Sequence, residues 1–228
     1  LLLNRKINFF QKIHKLRIVH VTNFNERHDG RLYFNTGRRI NNGLIRLGHS
    51  VLEFSDRDIQ KYYKNYKDFS GSGKLNSKLL NTCNNFRPDM IVLGHADSVT
   101  PQTLSDLKKN YPNLKVAQWF LDPLNKKGPD FQKNKQRILN KAEYVDQNFL
   151  TTSPKVLNFI SKKDKFHFIP NPSDSSFETL NNFQKSCTMD VFYALSHGVH
   201  RGVLKKGKFD ERIKFVSKLI DMTPNIKF

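Results

Sequence analysis

The sequence predicts an α/β protein built on an open, mostly parallel sheet. Three observations predict it. Short apolar runs of strand length recur along the chain, at 16–21 (LRIVHV), 51–54, 88–94 (PDMIVLG), 114–121 (LKVAQWFL) and 144–150. Stretches with apolar residues at helical spacing separate them. The run at 88–94 is apolar almost throughout, as a central parallel strand covered on both faces requires.

Residues 1–14 mix Leu3, Ile7, Phe10 and Ile13 with Lys and Arg, and read as an amphipathic segment rather than a signal peptide. The strand at 16–21 feeds a long polar loop at 22–35, which carries Glu26, Arg27, His28, Asp29, Gly30 and Arg31. A strand-to-helix loop of this length is often functional. The stripe Ile40, Leu44, Leu47 predicts a helix over 36–47, with Gly48 as its C-cap, and residues 51–54 complete a βαβ unit. Asp56, Arg57 and Asp58 then lie at the C-terminal end of that second strand. A tyrosine-rich stretch at 60–67 reads as a short helix, and Ser70–Gly73 as a turn. Leu75, Leu79, Cys83 and Phe86 predict a helix in which Cys83 is a packing residue.

After the strand at 88–94 come His95, Ala96 and Asp97. Thr100 and Pro101 are an N-cap and first-turn pair for a helix reaching about residue 110. Asp122-Pro123 closes the strand at 114–121. A Gly-Pro turn at 128–129 opens a Lys-rich helix to about residue 141. The strand at 144–150 leads into a predicted helix containing Val156, Leu157 and Ile160, then a short strand at 166–169. In open parallel sheets ligands bind outside the C-terminal ends of strands, near the point where strand order reverses. The 22–35 loop, His95 with Asp97, and Asp122 all fall on that edge. His20, His28 and His49 read as structural.

The second region, 190–221, predicts a buried strand (190–195), a basic glycine-spaced loop with Arg201, Lys205 and Lys206, and a helix whose stripe is Ile213, Val216, Leu219 and Ile220. A strand, a glycine-spaced loop and a helix N-terminus suit a phosphate: backbone amides approach it and Arg and Lys supply charge. The chain lacks an initiator Met and stops at what reads as the start of another strand, so a fragment is expected.

Composition bounds the rest. The 228 residues carry a formal net charge of +19, which favours acidic ligands, nucleic acid or an anionic membrane surface. The mean hydropathy is −0.61, and no apolar run approaches the roughly 20 residues of a membrane span. Two cysteines are too few for a disulfide framework or a zinc site. A cytoplasmic protein is expected, with a peripheral place at the inner face of the membrane as a further expectation. No carboxylate pair is spaced for a metal, and no P-loop is present.

The order of elements resembles the GT-B-type glycosyltransferases, of the kind related to CgeB-like and family-4-like sugar transferases. The matching features are LRIVHVTNF, NTGRRINNGLIRLGHSVLEFSD, RPDMIVLGHAD, the FLDP turn, FIPNPSDSSFE and DVFYALSHGVHRGVLKKGK. The resemblance implies a Rossmann-like acceptor-side domain at 15–172, a linker at 173–189, and the truncated start of a donor-binding Rossmann-like domain at 190–228. It implies transfer of a sugar from a nucleotide-diphosphate sugar to a glycan or lipid-linked acceptor, such as one of the cell envelope, without a further cofactor. Arg201 with Lys205 or Lys206 match the positions that hold the donor diphosphate, where fixed cations stabilise the leaving group. His95 and Asp122 are the candidate catalytic groups if a base is needed, and Arg27, His28, Asp29, Gly30 and Arg31 form the acceptor-side loop. That loop departs from the family's Gly-Gly pattern. The piece 1–228 by itself is expected to be inactive. The alternative reading is a non-catalytic basic α/β module that binds nucleic acid or an anionic membrane. Against it, aromatic residues lie mostly in apolar strands rather than interleaved with Arg on a surface, and no RNA- or DNA-binding motif appears.

Overall fold

The computed structural model describes residues 14–128, 130–179, 185–194 and 211–228. The chain divides into two compact units, Leu1–Phe177 and Glu178–Phe228.

The first unit is a Rossmann-like α/β domain around one six-stranded sheet. Its strands are β1 (Arg17–Thr22), β2 (Ser50–Ser55), β3 (Met90–Gly94), β4 (Lys115–Phe120), β5 (Gln147–Leu150) and β6 (Phe166–Phe168). All pairs are parallel, in the order β2-β1-β3-β4-β5-β6. The order reverses between β1 and β3, which puts the switch point of the sheet beyond Thr22 and Gly94. The helices are α1 (Thr36–Arg46), α2 (Asp56–Tyr63), α3 (Ser72–Phe86), α4 (Pro101–Asn110) and α5 (Phe131–Leu139).

Local chemistry explains the element ends. Asn35 caps α1 by accepting from the Arg38 amide, and Thr100 caps α4 by accepting from the Thr103 amide, with Pro101 in the first turn. The largest core cluster joins Val19, Val21, Ile91, Leu93 and Val116 of the sheet to Leu75, Leu79 and Cys83 of α3 and Leu104 and Leu107 of α4. Cys83 is fully buried there and its thiol is pushed up to about 12 by desolvation, as expected of a packing residue. A second cluster gathers Phe120, Leu124, Ile138, Leu150, Leu157, Ile160 and Phe166. On the opposite face α1 lays Ile40 and Leu44 against Ile18, Val92 and Trp119. An open groove of about 650 Å³ extends from Ile40 over Met90, Val92, Trp119, Phe149 and Ile169.

Two glycines permit the close approach of elements at the switch point. A Cβ on Gly37 would stand 2.7 Å from Thr22 Cγ2, and one on Gly94 would meet the Trp119 ring and stand 2.7 Å from Thr22 Oγ1.

Several expectations change. The stretch holding Val156, Leu157 and Ile160 is not a helix: a single 3-10 turn, Pro154–Val156, precedes an extended Leu157. A one-turn helix leaves most of its backbone groups unpaired, and Leu157 and Ile160 reach the second cluster without one. The strand expected over 144–150 begins only at Gln147, because the Tyr144 and Val145 amides close a turn on the Lys141 carbonyl. Residues 173–177, read from sequence as the start of a linker, belong to the first unit. There Asp174 accepts from Asn42 and pairs with Arg46 at 2.9 Å. Its carboxyl lies well below the usual range, because the Ser176 hydroxyl and amide, Asn42 and Arg46 outweigh its desolvation.

In the second unit, α6 (Glu211–Met222) forms where the sequence places a helix. None of its residues is buried, and Leu219 and Ile220 are exposed. The expected strand at 190–195 does not appear in residues 190–194, where Phe192 is 82% exposed. That segment is held instead by the Asp190 and Val191 amides, which donate to the Lys227 carbonyl, and by the Lys227 amide, which donates to Asp190. An apolar run becomes a strand only against a partner strand, and the described residues supply none here. Arg201, Lys205 and Lys206, and nearly all of the 1–14 segment, lie outside the described residues. Among the described residues no helix is long and apolar enough to cross a membrane.

Candidate functional site

The C-terminal edge of β3 and β4 carries a polar cluster. β3 ends at Gly94, and the next two residues, His95 (φ 62°) and Ala96 (φ 38°), adopt left-handed backbone. Such geometry at non-glycine residues costs on the order of 1–3 kcal/mol each and persists only where the surroundings enforce it. The enforcing group is Lys141, just beyond α5. Its buried ammonium donates to the carbonyls of His95 at 2.8 Å and Ala96 at 2.9 Å. Burial lowers the Lys141 pKa to about 8, against the opposing pull of Asp97 and Asp56.

Arg137, on the last turn of α5, organises the cluster. Nε and Nη2 donate to the two carboxylate oxygens of Asp97, each at 2.7 Å. Nη2 also donates to His95 Nδ1 at 2.7 Å, while Nη1 donates to Asp122 Oδ2 at 2.9 Å and Asn134 Oδ1 at 3.2 Å. All five guanidinium hydrogens are thereby used. The guanidinium also lies 5.0 Å over the Phe120 ring, on which the His95 imidazole stacks at 4.6 Å.

This geometry assigns the His95 tautomer. A guanidinium cannot accept, so Nδ1 must, and the proton of the neutral ring sits on Nε2. Desolvation holds the His95 pKa below its ordinary value; Asp122, 3.7 Å from Nδ1, pulls the other way and Arg137 supports the shift. Nε2–H makes no hydrogen bond to a described residue. Asp122 is 45% exposed and uses only Oδ2 toward Arg137, leaving Oδ1 for an incoming group. Burial would raise Asp97, but its bonds and charge interaction with Arg137 outweigh it and keep the carboxyl below its usual range. Arg57, 3.5 Å from Asp97, adds a half-exposed cation at the rim.

A second set of contacts fixes the loop after β1. Asp58, fully buried, accepts from the Ser55 hydroxyl, from the Glu26 amide at 2.8 Å and from the Arg27 guanidinium at 2.7 Å. Desolvation would raise this carboxyl, and the Ser55, Glu26 and Arg27 donors together bring it below its ordinary value. Of the predicted acceptor-side residues, Arg27 is therefore committed to a buried pair. His28, Asp29, Gly30 and Arg31 form the turn that follows, on the same sheet edge. Asp56, nearly inaccessible, keeps one oxygen without a hydrogen-bond partner, and burial raises its pKa to about 6.

The structure thus brings His95, Asp97 and Asp122 together, and places the Arg27–Arg31 loop on the same edge. Sequence reasoning missed Arg137 and Lys141, the two groups that hold the cluster. One signal was present: Arg137 is the single Arg in the Lys-rich helix, and a guanidinium, unlike an ammonium, can fork two carboxylates. Among the described residues no group of three or more His, Cys, Asp or Glu is arranged to hold a metal ion.

No family model matches the chain. No curated protein matches it. Among solved structures it is similar to CetZ from Methanosaeta thermophila strain DSM 6194, at 16% identity over 60% of this chain and 45% of that one, with a TM-score of 0.35. It is also similar to the glycosyltransferase SnogD from Streptomyces nogalater, at 16% identity over 67% of this chain and 48% of that one, with a TM-score of 0.36. The chain spans about half the length of these solved chains. Likeness at this level assigns neither family nor activity, and the functional reading rests on the site itself.

Proposed function

We propose that the first unit is the acceptor-side domain of a nucleotide-sugar glycosyltransferase, and that the second unit begins its donor-binding domain. The observation that carries the reading is the pairing, at the switch-point edge, of an uncommitted donor, His95 Nε2–H, with a half-exposed carboxylate, Asp122, both oriented by Arg137. The resemblance in element order supports the same reading.

The roles follow from the hydrogen bonds. A base at His95 Nε2 would have to shift its proton to Nδ1, where Arg137 already donates. His95 therefore orients a substrate oxygen, and Asp122 Oδ1 takes the proton from the acceptor hydroxyl as that oxygen attacks the anomeric carbon. The bond from that carbon to the nucleoside diphosphate breaks, and the diphosphate leaves with the electron pair. The family resemblance gives the neutralising role to Arg201 with Lys205 or Lys206, which lie outside the described residues. The acceptor class is a glycan or a lipid-linked sugar.

The test is nucleoside-diphosphate release by the full-length protein across a panel of nucleotide sugars. Asp122→Asn is expected to lower kcat by about 10²–10⁴-fold, and His95→Gln by about tenfold, with unfolding curves retained. Release from no donor, or wild-type turnover by Asp122→Asn, would overturn the reading. Oligonucleotide binding that collapses as salt rises, without turnover, would favour the basic module instead.

A further inference from the structure

The turn between α2 and α3 exposes aromatic side chains that a soluble surface has no use for. Tyr62 and Tyr63 stand exposed at the end of α2, Tyr66 is 76% exposed and Phe69 80% exposed. Interleaved with them are Lys61, Lys64, Lys67 and Lys74, all exposed, against one acid, Asp68. Lys67 lies 5.5 Å from the Tyr66 ring centroid and Lys74 5.6 Å from that of Tyr63. These aromatic residues lie outside the sheet strands, beside exposed lysines.

The turn is built to hold these groups outward. Asn65 and Asp68 exchange backbone hydrogen bonds at 3.2 and 3.1 Å. The Asp68 carboxylate accepts from the Ser70 hydroxyl and from the Gly71 and Gly73 amides at 2.8–2.9 Å. Gly71 (φ 71°) sits so close to the Gln60 backbone that no side chain fits there. Asp68 is thus occupied inside the turn, and the lysines face solvent with little to offset them.

We infer that residues 61–74 dock the protein onto an anionic lipid bilayer surface. The chemistry matches an interface with a polar, negatively charged layer above an apolar one. Tyr and Phe sit where water gives way to acyl chain, and each nearby lysine gains from anionic headgroups. A short exposed turn also suits a bilayer better than a single-stranded nucleic acid, which is held along a basic groove between stacked rings.

The helices that flank this surface also contact the residues around Asp97. Asn76 near the start of α3 donates to the Ser98 carbonyl at 2.9 Å and accepts from the Thr100 amide at 3.0 Å, one turn beyond Asp97. At the other end of α2, Arg57 reaches Asp97. The inference does not depend on the transferase reading.

The experiment is flotation of the full chain with vesicles of phosphatidylcholine alone or mixed with phosphatidylglycerol, at low and high salt. Wild-type protein is expected to float with the mixed vesicles and to keep part of that binding at high salt. The double variant Tyr66→Ser, Phe69→Ser, which keeps every lysine, is expected to bind about tenfold more weakly with an unchanged melting curve. In Phe69→Trp, the new indole is expected to shift to the blue on vesicle addition and to be quenched by brominated acyl chains, while buried Trp119 gives a constant background. Equal flotation of wild type and double variant would overturn the inference, because general positive charge would then suffice. So would a Phe69→Trp emission that vesicles leave unchanged, or binding of a labelled single-stranded oligonucleotide that the double variant loses instead.

Discussion

Two histidines touch Trp119, and they are put to different uses. His20 lies in β1 with its ring centroid 6.2 Å from that of Trp119; His95 lies just past β3 at 5.6 Å. His20 has spent both nitrogens: Nε2 accepts from the Trp119 indole at 3.2 Å, so Nδ1–H donates to Asn41 Oδ1 at 3.1 Å. The relay continues from Asn41 to Glu53, which pairs with Arg38. Burial pushes His20 down to about 4, only partly opposed by the Asn41 bond, so it is neutral across the physiological range. His95 has spent one nitrogen, on Arg137, and keeps Nε2–H. Both rings are neutral and both are mostly buried. What separates the structural histidine from the functional candidate is unspent hydrogen-bonding capacity on the open side of the sheet edge.

The largest test of that contrast removes the organiser of one side. Arg137→Ala strips five hydrogen bonds and leaves Asp97 and Asp122 without their shared counter-charge. A loss of about 3 kcal/mol is expected from urea unfolding. A loss below about 1 kcal/mol would mean the cluster is a solvated surface network rather than a fixed site.

The next test belongs to His20. Its folded pKa is depressed below its unfolded value, so the unfolded chain binds the proton first as pH falls. Stability is therefore full above about pH 6.5 and declines toward about pH 4, where the folded ring also takes a proton. The loss assigned to His20 is on the order of 2–3 kcal/mol. Unfolding of wild type and His20→Gln measured from pH 7 to pH 4 should show a shallower acid slope in the variant, and parallel slopes would remove His20 from this role.

A smaller effect is expected at the glycine that lets both rings share the indole. Gly94→Ala would press a methyl group against Trp119 and Thr22, at a cost of about 2 kcal/mol. Trp119 fluorescence should change with it, and an unaltered spectrum with wild-type stability would show that the approach is looser than described.

The smallest effect on stability is expected at His95 itself. His95→Gln should cost less than about 1 kcal/mol, since only one ring nitrogen is bonded. ¹⁵N spectra of the wild-type imidazoles should show His95 protonated on Nε2 and His20 on Nδ1. The same tautomer at both would end the comparison.

Much of the sheet was legible in advance. LRIVHV, PDMIVLG and LKVAQWFL became β1, β3 and β4 because apolar runs of that length, bounded by polar and turn residues, have few other ways to be buried. The edges read less well. The stripe at 156–160 packs without forming a helix, and the aromatic run at 190–194 finds no strand partner among the described residues. In both places periodicity was a statement about burial, and burial can be met by irregular chain or remain unmet. The site was half legible. His95, Asp97 and Asp122 were marked by position alone, since strand ends face the crevice in a parallel sheet. Arg137 and Lys141 were not, because a basic residue on a Lys-rich helix looks the same whether it faces water or a buried carbonyl.

By itself, the sequence determined the alternation of strands and helices, the apolar faces that form the core, and the edge to which the polar residues were assigned. These depend on local spacing and short-range sterics. Only the tertiary structure decided that β3 and β4 lie side by side, with α5 bringing Arg137 back to His95 from 42 positions along the chain. The tautomer of His95, the strained backbone held by Lys141 and the commitment of Arg27 to Asp58 all follow from such long-range pairings. A hydrogen bond needs its partners within about 3 Å, and no local pattern states which distant partner will arrive.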